Sequence, residues 1–595
     1  MLTLAIICVS SAAVAAACAV WWFLGTIPLA ALLVLYACMA NQLFRACLMS
    51  GPKTSRQVPP TPIAPCQRLS AVQLSKAYRE GVLSCEEVTR TYIEHIKRVN
   101  PYINAMVFEC FDEAIAAAVQ ADKVWAKWRA NRGNAEPSWL LGVPCTIKES
   151  MSVTGCPNAS GLPQRRHIIS RMDSPVVKNF RDAGAVILGV TNTSELCMWY
   201  ESSNYVYGIS CNPYDTRCIV GGSSGGEGAS AGAVFSTFSL GSDIGGSIRM
   251  PAFFNGVFGH KASPHYISNR GQHPAPVAST NHYMSTGPIS RFAEDLEPLC
   301  RVAARGGFLE DEKKFPPRPP LRRLPCIDAR KSLRVFILED FGTVLARTST
   351  TQLEIVREVG QYLEEQFGAL VTYVNLHTWK CSGGGDILKV FKPFSKSLRL
   401  WLGAMSNDKE EVVFTDLMAE GMTSFSPLKE IFLWVIGRSQ HTLPALSLTV
   451  VDAVLQHFPK WGPMGTANDT VREFKKSLEE LLNGDGVIIS PTFPRAAPRH
   501  HRPIFSPFDF QYTAAFNVLR MPVTCVPIWQ KELRGDMRVP TVEEAKELTA
   551  SVDYHLPKGV QIASREGNDE LSLAVAQVLE TAFGGYKYPG WAILE

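Results

Sequence analysis

Charge is scarce in this sequence, and paired-cysteine motifs are missing from it. Only 19% of its 595 residues are Asp, Glu, Lys or Arg, and the formal net charge is +4. So small a balance implies no polyanionic partner and argues against a nucleic-acid-coating protein. The 46% hydrophobic content argues against a disordered chain and allows a large core. Sixteen cysteines occur without one C-x-x-C pair, so neither a disulfide framework nor a zinc site is indicated and mostly reduced thiols are expected. There is no G-x-x-x-x-G-K-[ST] phosphate loop and no internal repeat.

The absence of charge is complete over Met1 to Phe44. Leu2 to Leu24 is long enough to span a bilayer, Thr26-Ile27-Pro28 interrupts it, and Leu29 to Phe44 continues apolar. No basic residue opens the stretch, as it would in a cleaved signal peptide, so a transmembrane anchor is expected. One tilted span and a hairpin of two short helices both fit. Arg45, Lys53 and Arg56 follow the apolar run, which places the rest of the chain on the cytosolic side. Residues 45–68 read as a stiff linker, with Pro59, Pro60, Pro62 and Pro65. Residues 69–595 are then the folded body, carried on an intracellular membrane such as endoplasmic reticulum or lipid droplet.

Within the body, short buried strands alternate with helical patterns, which predicts an α/β fold with a mixed central β-sheet flanked by helices. Ser84 to Glu87 reads as a capping box, followed by Val88, Tyr92, Ile96 and Val99 at helical spacing. Ala114 to Trp128 and Gln352 to Phe367 are further helices. Leu141 to Ser150, Val186 to Thr191, Lys331 to Leu338 and Gly486 to Ser490 are strands, and the first delivers Lys148 from an apolar run. Pro427 to Gly437 is too short to span a membrane and reads as a buried helix in preference to a bilayer-touching surface.

The densest signal lies between Asn212 and Ser263, where eleven glycines and eight serines punctuate short apolar runs. Two Gly/Ser turns, Gly221 to Gly228 and Gly241 to Ser247, are placed to bring Ser223, Ser224 and Ser247 to one point. Aligned N–H groups in the second turn would then face a developing negative charge. No histidine lies between the turns.

The runs G-G-S-S-G-G-E-G and D-I-G-G-S-I-R resemble the amidase signature family. Glu195 to Asn204, Arg249 to Asn255 and Gly259-His260-Lys261 narrow the likeness to its type 2 fatty-acid amide hydrolases. The resemblance implies the amidase signature fold for residues 69–595 and hydrolysis of linear amides, with long-chain acyl amides as substrates. It implies Lys148, in G-V-P-x-x-x-K-E, as the base and proton store. Ser223, after a cis peptide, would bridge Lys148 and the nucleophile Ser247. The N–H groups of Ile244, Gly245, Gly246 and Ser247 would form the oxyanion hole, supported by Ser224, Asp243 and Arg249. Arg249 reads first as a structural ion-pair residue. No cofactor and no metal is expected; the bilayer and a lipid amide are the expected partners, nucleic acid is not, and a homodimer is left open. The sequence departs from the family at Ala262, where proline usually follows His-Lys, and at Arg520, where glycine usually stands.

Two other readings remain at this point. Gly222 to Gly226 satisfies G-x-S-x-G, and so does Gly221 to Gly225, so an α/β-hydrolase esterase would use Ser224 or Ser223 with a late histidine, His500 or His501. An amidotransferase-like component of a complex or a membrane-tethered binding protein would carry the same signature without free-standing hydrolysis.

Overall fold

The computed structural model describes residues 57–133, 135–305, 333–343, 346–405, 414–420, 425–457, 467–549 and 553–594. The expected anchor, residues 1–44, and the first half of the proline-rich linker, residues 45–56, lie outside the described residues. Among the described residues no helix is long and apolar enough to cross a membrane. The described residues divide into two compact units, a smaller one of residues 414–420 and 425–457 and a larger one of the rest.

In the larger unit the strands are β1 (Thr61–Ile63), β2 (Met106–Glu109), β3 (Pro144–Lys148), β4 (Val186–Thr191), β5 (Ser203–Asn204), β6 (Gly208–Ile209), β7 (Phe238–Asp243) and β8 (Phe258–Lys261). They continue as β9 (Ser285–Ser290), β10 (Arg334–Asp340), β11 (Leu370–Asn375), β12 (Lys380–Cys381), β13 (Gly486–Pro491), β14 (Val523–Pro527), β15 (Gly559–Ser564) and β16 (Ala592–Leu594). Twelve of them form one sheet in the order β12-β11-β10-β13-β15-β14-β8-β9-β7-β3-β4-β2. The sheet is mixed: β7-β3-β4 and β11-β10-β13 are parallel, and antiparallel pairs join these two blocks. The expected α/β fold with a mixed central sheet is therefore what forms.

The inner strands β3, β4, β7, β13, β14 and β15 are buried along their whole length. Such strands need apolar or small residues on both faces, because helices cover both sides of the sheet. That is why Lys148, at the end of β3, stands out: an ammonium reaches a wholly buried strand end only if something there receives it.

Helix Cys85–Ile103 starts where the sequence predicts, but its cap is shared. The Ser84 hydroxyl accepts from the Glu87 N–H at 3.3 Å, as in a capping box. The Asp122 carboxylate, from helix Phe111–Ala130, takes the Cys85 and Glu86 N–H groups at 2.7 and 3.0 Å. The end of the proline-rich stretch is also structured. Thr61–Ile63 pairs in parallel with Ala592–Leu594, so the two ends of the described body close on each other.

Arg520 takes the left-handed backbone region, with φ of 60°. That explains the family's usual glycine there, since glycine alone enters the region without steric cost. Here the Arg520 guanidinium is held by Glu566 at 2.9 Å.

In the smaller unit, the reading of Pro427 to Gly437 as a buried core helix is corrected. Helix Pro427–Val435 buries Glu430 and Trp434. Leu428, Phe432, Val435 and Ile436, spaced along one helical face, are exposed by 76%, 63%, 47% and 48%.

Candidate active site

Three strand ends and two glycine-rich turns build the site. β3 ends at Lys148, whose Cα partner in β4 is Thr191. The Lys148 side chain is fully buried, and its Nζ lies 2.7 Å from Ser223 Oγ and 3.2 Å from Ser242 Oγ. The peptide bond between Gly222 and Ser223 is cis. Gly221 and Gly222 are required there by close approach. A Cβ at Gly221 would meet the Pro251 backbone at 2.8 Å, and one at Gly222 the Trp199 carbonyl at 2.4 Å. Thr193, just beyond β4, donates its hydroxyl to the Ser223 carbonyl at 2.9 Å. Ser224 caps the start of helix Gly225–Gly232 in position only; its hydroxyl donates to the Ser242 carbonyl at 3.2 Å. The Ser247 carbonyl accepts from the Ser224 N–H at 3.2 Å, which lays the Ser247 backbone against the Ser223–Ser224 turn.

The second turn hangs from β7, which ends at Asp243. Asp243 accepts from the Gly246 N–H at 2.8 Å and the Ile248 N–H at 3.1 Å. Arg249, fully buried, returns its guanidinium to Asp243 at 2.9 and 3.0 Å and donates to the Thr513 carbonyl at 2.9 Å. Asn517 and Gln561 complete its shell. Burial pushes the Asp243 carboxyl up, but the Arg249 charge and hydrogen bonds outweigh it and hold the group well below the usual carboxylate range. Arg249 is thus one half of a buried ion pair that closes the turn. The Gly246 N–H is already committed to Asp243. Of the four N–H groups expected to face an oxyanion, those of Ile244, Gly245 and Ser247 have no acceptor among the described residues.

Burial lowers the Lys148 ammonium from the usual lysine range, while the Cys197 sulfur and the Asp243 and Glu227 carboxyls pull the other way. An amine so placed gives up its proton more readily than an exposed lysine does. Glu227, in the first turn of helix Gly225–Gly232, is also buried and accepts from the Thr146 and Thr191 hydroxyls at 2.6 and 2.8 Å. Burial raises its carboxyl to about 7, against those hydroxyl bonds and the Lys148 charge.

A family model described as Amidase matches residues 87–377. Human fatty-acid amide hydrolase 2 is 38% identical over 556 residues, covering 92% of this chain and 94% of that protein. The chain belongs to the amidase signature family. It is an amide hydrolase. Among solved structures, one of a fatty acid amide hydrolase superposes with a TM-score of 0.66 at 21% identity, covering 88% of each chain. A 6-aminohexanoate cyclic dimer hydrolase superposes with a TM-score of 0.62 at 22% identity, over 89% of this chain and 100% of that one. At these identities both show the fold alone.

The nucleophile-elbow reading does not survive the geometry of this amidase. Cys218 to Val220 forms only isolated bridges, so no strand precedes the G-x-S-x-G. His500 spends Nδ1 on Glu201 at 3.0 Å and Nε2 on the Thr216 carbonyl at 3.1 Å. His501 gives its backbone N–H to the same Glu201 carboxylate. Neither ring is offered to Ser223 or Ser224, whose hydroxyls are engaged by Lys148 and Ser242.

Sequence reading missed Ser242, Glu227, Thr513 and Asn517. Ser242 and Glu227 stand inside the signature and differ from their neighbours only in polarity. Thr513 and Asn517 come from helix Gln511–Val518, about 270 residues away along the chain, and no spacing rule reaches that far.

Proposed function

We propose that this amide hydrolase is membrane-anchored and cleaves long-chain fatty-acid amides to fatty acid and amine, through Ser247, Ser223, Lys148 and an acyl-enzyme. The observation that carries the reading is the 2.7 Å contact between a fully buried Lys148 amine and Ser223, beside the turn that presents Ser247. Neutral Lys148 takes a proton from Ser223 as Ser223 takes one from Ser247. The Ser247 oxygen then attacks the amide carbonyl. The oxyanion faces the N–H groups of the 244–247 turn, now read as Ile244, Gly245 and Ser247. Collapse breaks the C–N bond, and the proton stored on Lys148 returns through Ser223 to the leaving amine. Water repeats the cycle on the ester and releases the acid.

The similarity to human fatty-acid amide hydrolase 2 supports the lipid substrate class. The uncharged residues 1–44 support attachment to a bilayer, from which such amides would be collected. Ser224, Asp243 and Arg249 are assigned support roles, holding the two turns in register. The full chain labelled with a fluorophosphonate and digested should carry the tag on Ser247, and oleamide should be hydrolysed. A tag on Ser223 or Ser224 would overturn the assignment of the nucleophile. Ready hydrolysis of short amides with oleamide untouched would overturn the substrate class.

A further inference from the structure

The turn from Asp243 to Ser247 is held by its carbonyls. The Asp243 carbonyl accepts from Asn517 Nδ2 at 3.2 Å, and that of Gly245 from Thr513 Oγ1 at 2.6 Å. The Gly246 carbonyl accepts from the Met250 N–H at 2.7 Å. The Ile244 carbonyl accepts from the indole N–H of Trp401 at 3.0 Å. A trans peptide is planar, with C=O and the following N–H on opposite sides. Fixing the four carbonyls therefore fixes the direction of the N–H groups of residues 244–247. One of these bonds comes from the signature itself and two from helix Gln511–Val518. The fourth comes from helix Ser397–Met405, and both helices lie beyond the residues of the family match.

Trp401 also sits over the turn. Its ring packs edge-on against Phe510, with centroids 5.1 Å apart. A Cβ built on Gly245 would find Phe510 at 3.6 Å and Trp401 at 3.7 Å, so the two rings lie one van der Waals layer from the Gly245 backbone. The peptide that Trp401 pins is the one carrying the Gly245 N–H, one of the three donors without an acceptor.

We infer that Trp401 is a positioning residue for catalysis: its indole N–H, by holding the Ile244 carbonyl, aims the Gly245 N–H at the oxyanion. This rests on the reading of Ser247 as nucleophile and of residues 244–247 as the oxyanion site. Trp401 touches no reacting atom in this role and acts through the peptide. The contribution is therefore made in the transition state, where the oxygen carries charge, and little in the ground state. A wall of an acyl pocket would behave in the opposite way, binding substrate and transition state alike.

The test compares the full-length wild type with Trp401→Phe, which keeps an aromatic ring and removes the N–H. Turnover and KM are measured on oleamide, together with inhibition by a long-chain trifluoromethyl ketone, which adds to the serine as an oxyanion, and by oleic acid, which does not. A lost oxyanion donor typically costs about 100-fold or more in kcat, and a misaimed one should cost roughly tenfold. The expected result is a tenfold fall in kcat, KM within twofold, ketone inhibition weakened about tenfold, and inhibition by oleic acid unchanged. Unchanged kcat overturns the inference. So does a rise in KM with parallel weakening of both inhibitors, which marks an acyl-pocket wall. Benzothienylalanine at position 401, isosteric with tryptophan and lacking only the N–H, gives the same reading if the phenylalanine variant fails to fold. The fluorophosphonate tag on the wild type separates the two layers. A tag away from Ser247 removes the underlying mechanism, whereas a tag on Ser247 with kcat unchanged in the variant removes only the role of Trp401.

Discussion

Lys148 is the residue on which the proposed chemistry turns, because burial favours the neutral amine, which can take the proton of Ser223. Lys148→Ala should lower turnover by ~10³-fold or more at neutral pH and recover partly as hydroxide rises. Lys148→Ala/Ser247→Ala should be scarcely worse than Ser247→Ala, since the members act as one unit. Replacing His500 and His501 by alanine should leave turnover within about tenfold, or roughly 1.4 kcal/mol. A dead double-histidine variant beside an active Lys148→Ala would refute the lysine mechanism; steady-state rates on oleamide decide. Glu227 gives the pH test. Its negative charge favours the Lys148 ammonium, so Glu227→Gln should make the amine neutral at lower pH. The acidic limb of kcat/KM should move to lower pH with KM unchanged. An unmoved limb would show that Glu227 does not act through Lys148.

At the level of elements, two neighbouring glycines of the second turn are under different constraints. Gly246 has φ of 123°, and a Cβ there would lie 2.1 Å from Thr513 Oγ1. Thr513 is the residue that holds the neighbouring carbonyl, so Gly246→Ala should displace the turn and cost ~10² or more in turnover. Gly245 faces Phe510 and Trp401 no closer than 3.6 Å, which is ordinary contact. Gly245→Ala should therefore fold with an unchanged melting midpoint. Parallel melting curves and rates of the two variants check this, and a Gly245→Ala protein less stable than Gly246→Ala would contradict it. The same scale explains the cap of helix Cys85–Ile103. The sequence pattern Ser84 to Glu87 marks where the helix begins, but the carboxylate that takes its first N–H groups is Asp122, two helices meeting in space.

For the whole molecule, the proposed attachment and the activity should be separable. Deleting residues 1–58 keeps β1 paired with β16 and should release active enzyme into the soluble fraction. Deletion through Cys66 removes β1 and should lower the melting midpoint, because Ala592–Leu594 loses its partner. If the shorter deletion still sediments with membranes, the uncharged segment is not the sole attachment. The exposed face of Leu428, Phe432 and Val435 is then the next surface to change.

By itself the sequence determined the alternation of buried strands and helices, the uncharged first 44 residues, and the serines and lysine of the proposed chemistry. These are local: periodicity, composition and short motifs act over a few turns of chain. Only tertiary structure decided which partners those residues meet. It gave the Gly246 N–H to Asp243 and both His500 nitrogens to Glu201 and the Thr216 carbonyl. It also brought Thr513, Asn517 and Trp401 onto the carbonyls of one turn. Orphan backbone groups and buried charges must find partners wherever the fold supplies them, and a sheet of twelve strands supplies them from positions hundreds of residues apart.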